Sequence, residues 1–206
     1  GSYKKPASYL YNAQIKQLSG KKKDASTLIQ ESLDAAAETG GVVYIPAGVY
    51  SIYQTLRVPE NVQLRGPTPV FVRDASSGEP DGAVLISYVA DGACIELSAG
   101  AGVNGLRIFC PLYDVGTAGD LLAANDPKTE KCIGIKGQGA GVYTYNVGVT
   151  ATMIGIDFSD CDDHLIKQTF GCTYNTFAIV GGKNGVMESC LCNPHFINRQ
   201  NYAGMG

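Results

Sequence analysis

Apolar positions along this chain follow two rhythms. Ile29, Leu33, Ala36 and Ala37 recur at i, i+4, i+7 and i+8, the stripe of one helical face, and Thr27 with Gln30 three residues later has the form of a capping box. A helix is predicted over about 26–38, ended by Gly40-Gly41, because glycine takes the left-handed backbone that closes a helix C-terminus without steric cost. Beyond that stop the pattern becomes short alternating pairs: Val43 and Ile45, Val49 and Ile52, Leu56 and Val58, Val62 and Leu64. Turns are predicted between them at Pro46-Ala47-Gly48, Pro59-Glu60-Asn61 and Gly66-Pro67. Val84–Ile86, Ile95–Leu97 and Leu106–Ile108 continue the series. Such strands are too short for an ordinary sandwich.

In the second half the alternation acquires a period. Ile133-Gly134-Ile135, Ile154-Gly155-Ile156 and Phe177-Ala178-Ile179 share one pattern and start 21 and 23 residues apart, and Leu165-Ile166 returns as Val186-Met187 after 21. Short strands repeating at this interval, with Gly/Asn/Asp turns and no helices between them, predict a parallel β-helix in which each repeat is one coil. Equivalent residues then stack about 4.8 Å apart, so Ile133, Ile154 and Phe177 are expected as an apolar ladder inside a packed tube. Cys94 and Cys132 take equivalent places if 111–131 is looped out, which predicts a ladder of thiols in the wall, with a disulfide as the alternative. The front helix caps one end of the tube. No second cap is legible at the other end, where residues beyond 206, another chain or the last segment folded back is expected to supply the cover.

Composition bounds the rest. At 206 residues the chain is expected to form one domain, and its 26 glycines and absence of tryptophan suit many short strands and tight turns. We read 1–23 as an N-terminal arm, with a cloning scar at Gly1-Ser2, and 24–206 as the β-helix domain, truncated at its C-terminal end. A net charge of −3 with no basic stripe argues against a nucleic-acid partner, and Lys21, Lys22 and Lys23 read as a solvated connector. No apolar run approaches the roughly 20 residues of a membrane span, and no signal peptide is legible. Seven cysteines, an odd number without C-x-x-C or zinc spacing, are expected mostly as buried thiols and not as a metal site.

Ala25–Gly66, with LIQESLDAAAETGGVVYIPAGVY and VQLRG, resembles the N-terminal signature of the pectate-lyase-like (pectin lyase-like) superfamily of right-handed parallel β-helices. Gly102–Ile108 and Asn193-Pro194-His195-Phe196 are similar to a narrower group of bacterial β-helix proteins, often large and multidomain, which continue well past that last motif. The resemblance implies an all-β, right-handed solenoid with an N-terminal capping helix, an extracellular or cell-surface setting and the handling of polysaccharide. Lyases, glycoside hydrolases, epimerases and phage tailspikes share the scaffold, and a fold does not choose among them.

The densest polar cluster is Asp157, Asp160, Asp162, Asp163 and His164. Glycoside hydrolysis needs two carboxylates flanking the bond, about 5 Å apart for retention or about 6.5–9.5 Å for inversion, and stacked coils can supply either spacing. An Asp/Ser-rich stretch between rungs is also what any plain turn looks like, and the plain turn is the favoured reading. Of the polygalacturonase elements only Asp162-Asp163 matches and no G-H-G is present, so that pattern does not carry over. Pectate lyases use Asp-bound calcium with Arg or Lys as base. Arg65, Arg73, Arg107, Lys136, Lys167 and Arg199 are available, none in a recognisable motif, so no lyase base is assigned and calcium is expected only if the chain is a lyase. His195 is a candidate catalytic residue or a hydrogen-bonded wall histidine. His164, Lys167, Tyr174 and Arg199 are candidates for substrate binding. Tyr143, Tyr145, Tyr174 and Tyr202 form either a sugar-stacking platform or the edge of the core. The expectation is therefore the first part of a carbohydrate-active protein acting on polysaccharide or oligosaccharide. Its expected reaction is glycoside hydrolysis through Asp157, Asp160, Asp162, Asp163 and His195, without cofactor. The alternatives are a lyase, or a non-catalytic glycan-binding, adhesion or tailspike-like module that self-associates or takes a partner chain at the open end.

Overall fold

A strand of two to five residues cannot hold a sheet by itself, and in this chain each is completed by its equivalent one coil away. The computed structural model describes residues 24–67, 82–89, 91–110, 132–150, 152–173 and 176–192. Helix α1 (Ser26–Ala37) leads into seventeen strands among the described residues. Sheet I holds β1 (Gly41–Tyr44), β4 (Val62–Arg65), β7 (Gly102–Asn104), β10 (Tyr143–Tyr145), β13 (Leu165–Lys167) and β16 (Val186–Glu188). Sheet II holds β2 (Gly48–Ile52), β5 (Ala83–Ser87), β8 (Leu106–Phe109), β11 (Gly148–Thr150), β14 (Phe170–Cys172) and β17 (Leu191–Cys192). Sheet III holds β3 (Leu56–Val58), β6 (Ala93–Leu97), β9 (Ile133–Gly137), β12 (Ile154–Phe158) and β15 (Thr176–Val180). Every pairing is parallel and joins a strand to the one three places along the chain, so each coil contributes one strand to each sheet. This is a right-handed parallel β-helix with a helical N-terminal cap.

The core is a set of files running along the tube. Val43, Leu64, Val103, Thr144 and Ile166 succeed one another in sheet I, and all are buried. Leu56, Ile95, Ile135 and Ile156 do so in sheet III, and Tyr50, Leu85, Ile108 and Val149 in sheet II. Burying one such aliphatic side chain contributes about 1.5–3 kcal/mol, and in-register stacking gives each rung apolar neighbours above and below. The buried hydroxyl of Thr144 is satisfied by Thr169 Oγ1 at 3.1 Å. At the far end of the described stack the sheet I file reaches Met187, which is 48 % exposed.

Coil length explains what the sequence pattern could and could not locate. Gly41 pairs with Val62, Tyr143 with Leu165 and Leu165 with Val186, steps of 21 or 22 residues, as the repeat predicts. Gln63 pairs with Gly102 and Gly102 with Tyr143, steps of 39 and 41, and these two coils contain 68–81 and 111–131, which lie outside the described residues.

Four expectations are corrected. The Ile133–Ile154 ladder forms, but its next rung is Thr176 and not Phe177. The Phe177 ring instead fills the space a side chain on Gly171 would need, 2.0 Å from that virtual Cβ. Cys94 does not stack on Cys132: Ala93 pairs with Ile133 and Ile95 with Ile135, which sets Cys94 level with Gly134. Cys132 is bonded to Cys110 in a disulfide spanning 22 residues, while Cys94, Cys161 and Cys172 are buried thiols. The capping box does not form either. Ala25 is the N-cap, without a side-chain bond, and Gln30 turns to the first coil, accepting from Arg57 N at 2.8 Å and donating to Arg57 O at 3.0 Å. Its amide thus substitutes for a strand at the free edge of β3, while Ile29 and Leu33 seal the core. Finally, Ala37 is exposed, so the buried stripe of α1 ends at half-buried Ala36. The arm, 1–23, lies outside the described residues.

Candidate functional site

The acidic cluster occupies the corner where sheet III hands over to sheet I. The chain turns through a left-handed residue at the same height in each coil: Gly40, Asn61, Gly100, Gly141, Asp163 and Asn184, with φ between 55° and 71°. Backbone hydrogen bonds stack these corners, Asn61 N to Ala99 O, Gly100 N to Ala140 O, Gly141 N to Asp162 O and Asp163 N to Lys183 O. Glycine, asparagine and aspartate are the residues that tolerate this conformation. Asp163 is therefore placed by the backbone, and its Oδ1 accepts from Asn184 Nδ2 at 3.0 Å on the next corner. Asp162 Oδ1 accepts from Lys183 N at 2.7 Å. Both carboxylates tie one coil to its successor.

Asp157 and Asp160 have no such cross-coil bond. Among the described residues Asp157 accepts from Ser159 N alone, at 3.1 Å within its own turn, and exposed Asp160 makes no side-chain hydrogen bond or ion pair. Asp157 belongs to an outward file on sheet III in which Arg57, Glu96, Lys136 and Asp157 stand one per coil with alternating sign. Arg57 Nε lies 3.3 Å from Glu96 Oε2. This alternation of sign, with Arg57 and Glu96 close enough to pair, is the polar feature that sequence reasoning missed. It was visible only once the 39- and 41-residue coils were aligned, because Glu96 and Lys136 are 40 positions apart.

His164 is buried beneath the corner. Its Nδ1 lies 2.8 Å from Cys161 O, its ring centre is 5.9 Å from that of Phe158, and a side chain on Gly185 would collide with it. Burial pushes the Cys161 thiol up, a backbone hydrogen bond at Gly139 opposes this, and the charges of Asp157, Asp160 and Asp162 add to it. Lys167 lies on the outer face of sheet I paired with Glu188, whose hydrogen bond and charge hold its ammonium above the usual lysine range. Tyr174, His195 and Arg199 lie outside the described residues, as does the Asn193–Phe196 motif. The carboxylates do not converge as a cation site: among the described residues no three His, Cys, Asp or Glu side chains come together to hold a metal ion. The wall thus offers charges repeated from coil to coil and two carboxylates at the corner, Asp157 and Asp160, that make no bond to a neighbouring coil, suited to hydrogen-bonding a hydroxyl-rich ligand. No helix among the described residues is long and apolar enough to cross a membrane.

No protein-family model matches this chain, and neither does any curated protein. Solved structures do. PfbA, a surface adhesin of Streptococcus pneumoniae, is similar at 16 % identity with a TM-score of 0.51, over 88 % of this chain and 42 % of that one. ORF18 of Geobacillus virus E2 is similar at 14 % identity and a TM-score of 0.45, over 85 % and 41 %. The tailspike protein gp49 of Acinetobacter baumannii bacteriophage Fri1, a capsular polysaccharide depolymerase, is similar at 17 % identity and a TM-score of 0.41, over 84 % and 38 %. The likeness to PfbA is one of fold, and the other two superpose less well. The chain spans about two fifths of the length of each.

Proposed function

We propose that this chain is part of an extracellular or surface-exposed β-helix protein of the pectate-lyase-like kind that binds polysaccharide along its outer wall. The observation that carries the reading is the outward file Arg57, Glu96, Lys136 and Asp157, one charged group per coil beside the acidic corner. A linear glycan presents hydroxyls at regular intervals, and a wall that repeats donors and acceptors roughly 4.8 Å apart from coil to coil presents partners at a comparable interval. The fold shared with a surface adhesin is consistent with this setting.

The finer reading is glycoside hydrolysis. Asp157 and Asp160, which make no bond to a neighbouring coil, are the carboxylates assigned as acid and base, since Asp162 and Asp163 are bonded to the next corner. Reducing-end release is measured on a panel of bacterial and plant polysaccharides, with binding followed in parallel. Cleavage that falls about 100-fold or more in both Asp157→Asn and Asp160→Asn supports hydrolysis, the size expected for losing a general acid or base. Binding without cleavage, weakened by Lys136→Ala, supports a non-catalytic adhesion module, a reading favoured by the structural employment of half the acidic cluster. Neither binding nor cleavage removes the proposal.

A further inference from the structure

We propose that the outer face of sheet I carries a separate glycan subsite, in which a pyranose ring stacks on Tyr143. The inference rests on the polysaccharide-binding reading above but on different residues. Tyr143 does not stand off its strand. A Cβ built on Gly102, one coil back, would lie 2.2 Å from Tyr143 Cε2 and Cζ and 2.4 Å from Cε1. Three ring atoms at nearly equal distance from one point mean that the ring presents its face to that point, so it lies over the glycine with its other face outward. Its far end is fixed as well, because Gln63 Nε2, two coils back, donates to the Tyr143 hydroxyl at 2.8 Å. The ring is only part-buried.

An aromatic ring held flat on a wall is a partner for the C–H face of a sugar, and pinning it at both ends removes the ordering cost that binding would otherwise incur. A stacked sugar directs its hydroxyls sideways. Two positions further along each strand, roughly 6.6 Å away, Arg65, Asn104 and Tyr145 form a file of donors and acceptors, one per coil. The occupant this arrangement fits is an extended chain of pyranoses with uninterrupted C–H faces, lying along the tube.

The probes are hexasaccharides of β-1,4-linked glucose, N-acetylglucosamine and xylose, followed by saturation-transfer NMR from the aromatic protons and by titration. At least one is expected to receive saturation at its ring C–H protons. Tyr143→Ala weakens its binding roughly five- to tenfold. Gly102→Ala does the same without removing any aromatic group, because the added methyl displaces the ring, while Tyr143→Phe retains saturation transfer. Circular dichroism confirms that each variant keeps its coils. No transfer to any of the three probes, or transfer unchanged in both Tyr143→Ala and Gly102→Ala, overturns the subsite. Binding lost in a Lys136→Ala/Asp157→Asn variant but untouched by Tyr143→Ala overturns the platform and leaves the corner reading standing. The reverse pattern supports the platform and removes the corner.

Discussion

Removing the disulfide between Cys110 and Cys132 tests the coil alignment at its least legible point. The bond spans 22 residues. In the chain-entropy account a closed loop of that size stabilises the folded state by roughly 3 kcal/mol at 25 °C, through the conformations it denies the unfolded chain. Cys110→Ser/Cys132→Ser is therefore expected to move the urea midpoint down by about 1 M, at a slope of 2–3 kcal/mol per M for a chain of this size. Dithiothreitol should shift the parent protein by the same amount and leave the double variant unmoved. Thiol titration in denaturant gives an independent reading: five reactive thiols before reduction, and all seven after. Seven thiols before reduction, or coincident urea curves for the parent and the double variant, would refute the reasoning, because Cys132 would then not be where the register puts it.

Two further outcomes follow from the corner and the core. At Asp163, φ 55°, substitution by Asn, which keeps an acceptor for Asn184 Nδ2, should leave the thermal midpoint within a degree or two, whereas Val should be less stable than Gly, which loses the same bond, by about 1–2 kcal/mol; equal effects of Gly and Val would remove the left-handed corner. Alkaline pH is the second. Burial pushes the Cys94 thiol up to about 12, and burial together with the charge of Tyr44 does the same to Tyr50. Both groups are neutral when protonated, so the stability tied to them is complete below the unfolded values and declines as pH rises towards 12. Cys94 alone should account for a loss of about 2–3 kcal/mol by pH 11, read from urea midpoints, and Cys94→Ala should flatten that decline. A midpoint independent of pH between 8 and 11 would contradict the buried thiol.

How far the sequence reached depended on whether a feature was local or required counting across coils. Helix α1 came from a 3.6-residue stripe and ends within a residue of its predicted limit. The pairs Leu165–Val186 and Ile166–Met187 lie in unbroken 21-residue coils and were predicted in register. Cys94 was misplaced by two residues because 111–131 separates it from its neighbouring rung, and apolar periodicity carries no information on how many residues leave the tube. Phe177 was misplaced because apolarity alone cannot distinguish a rung position from a ring that fills the gap over Gly171. Gln30 has the right spacing for a capping box, yet the unpaired edge of β3 is a competing partner that only tertiary structure brings near. The acidic corner was legible as composition, whereas the division of its labour was not. That Asp163 continues a file of glycines and asparagines emerges only when the corners are superposed.

The most direct test of the wall as a glycan surface is affinity electrophoresis of the folded chain through gels containing each polysaccharide of the panel. Wild type, a Lys136→Ala/Asp157→Ala variant and a control altered at exposed Glu31 on helix α1 are run side by side. The account predicts retardation of the wild type and the Glu31→Gln control by at least one polysaccharide, with the wall variant released. Equal retardation of all three proteins, or free migration of the wild type in every gel, would contradict it.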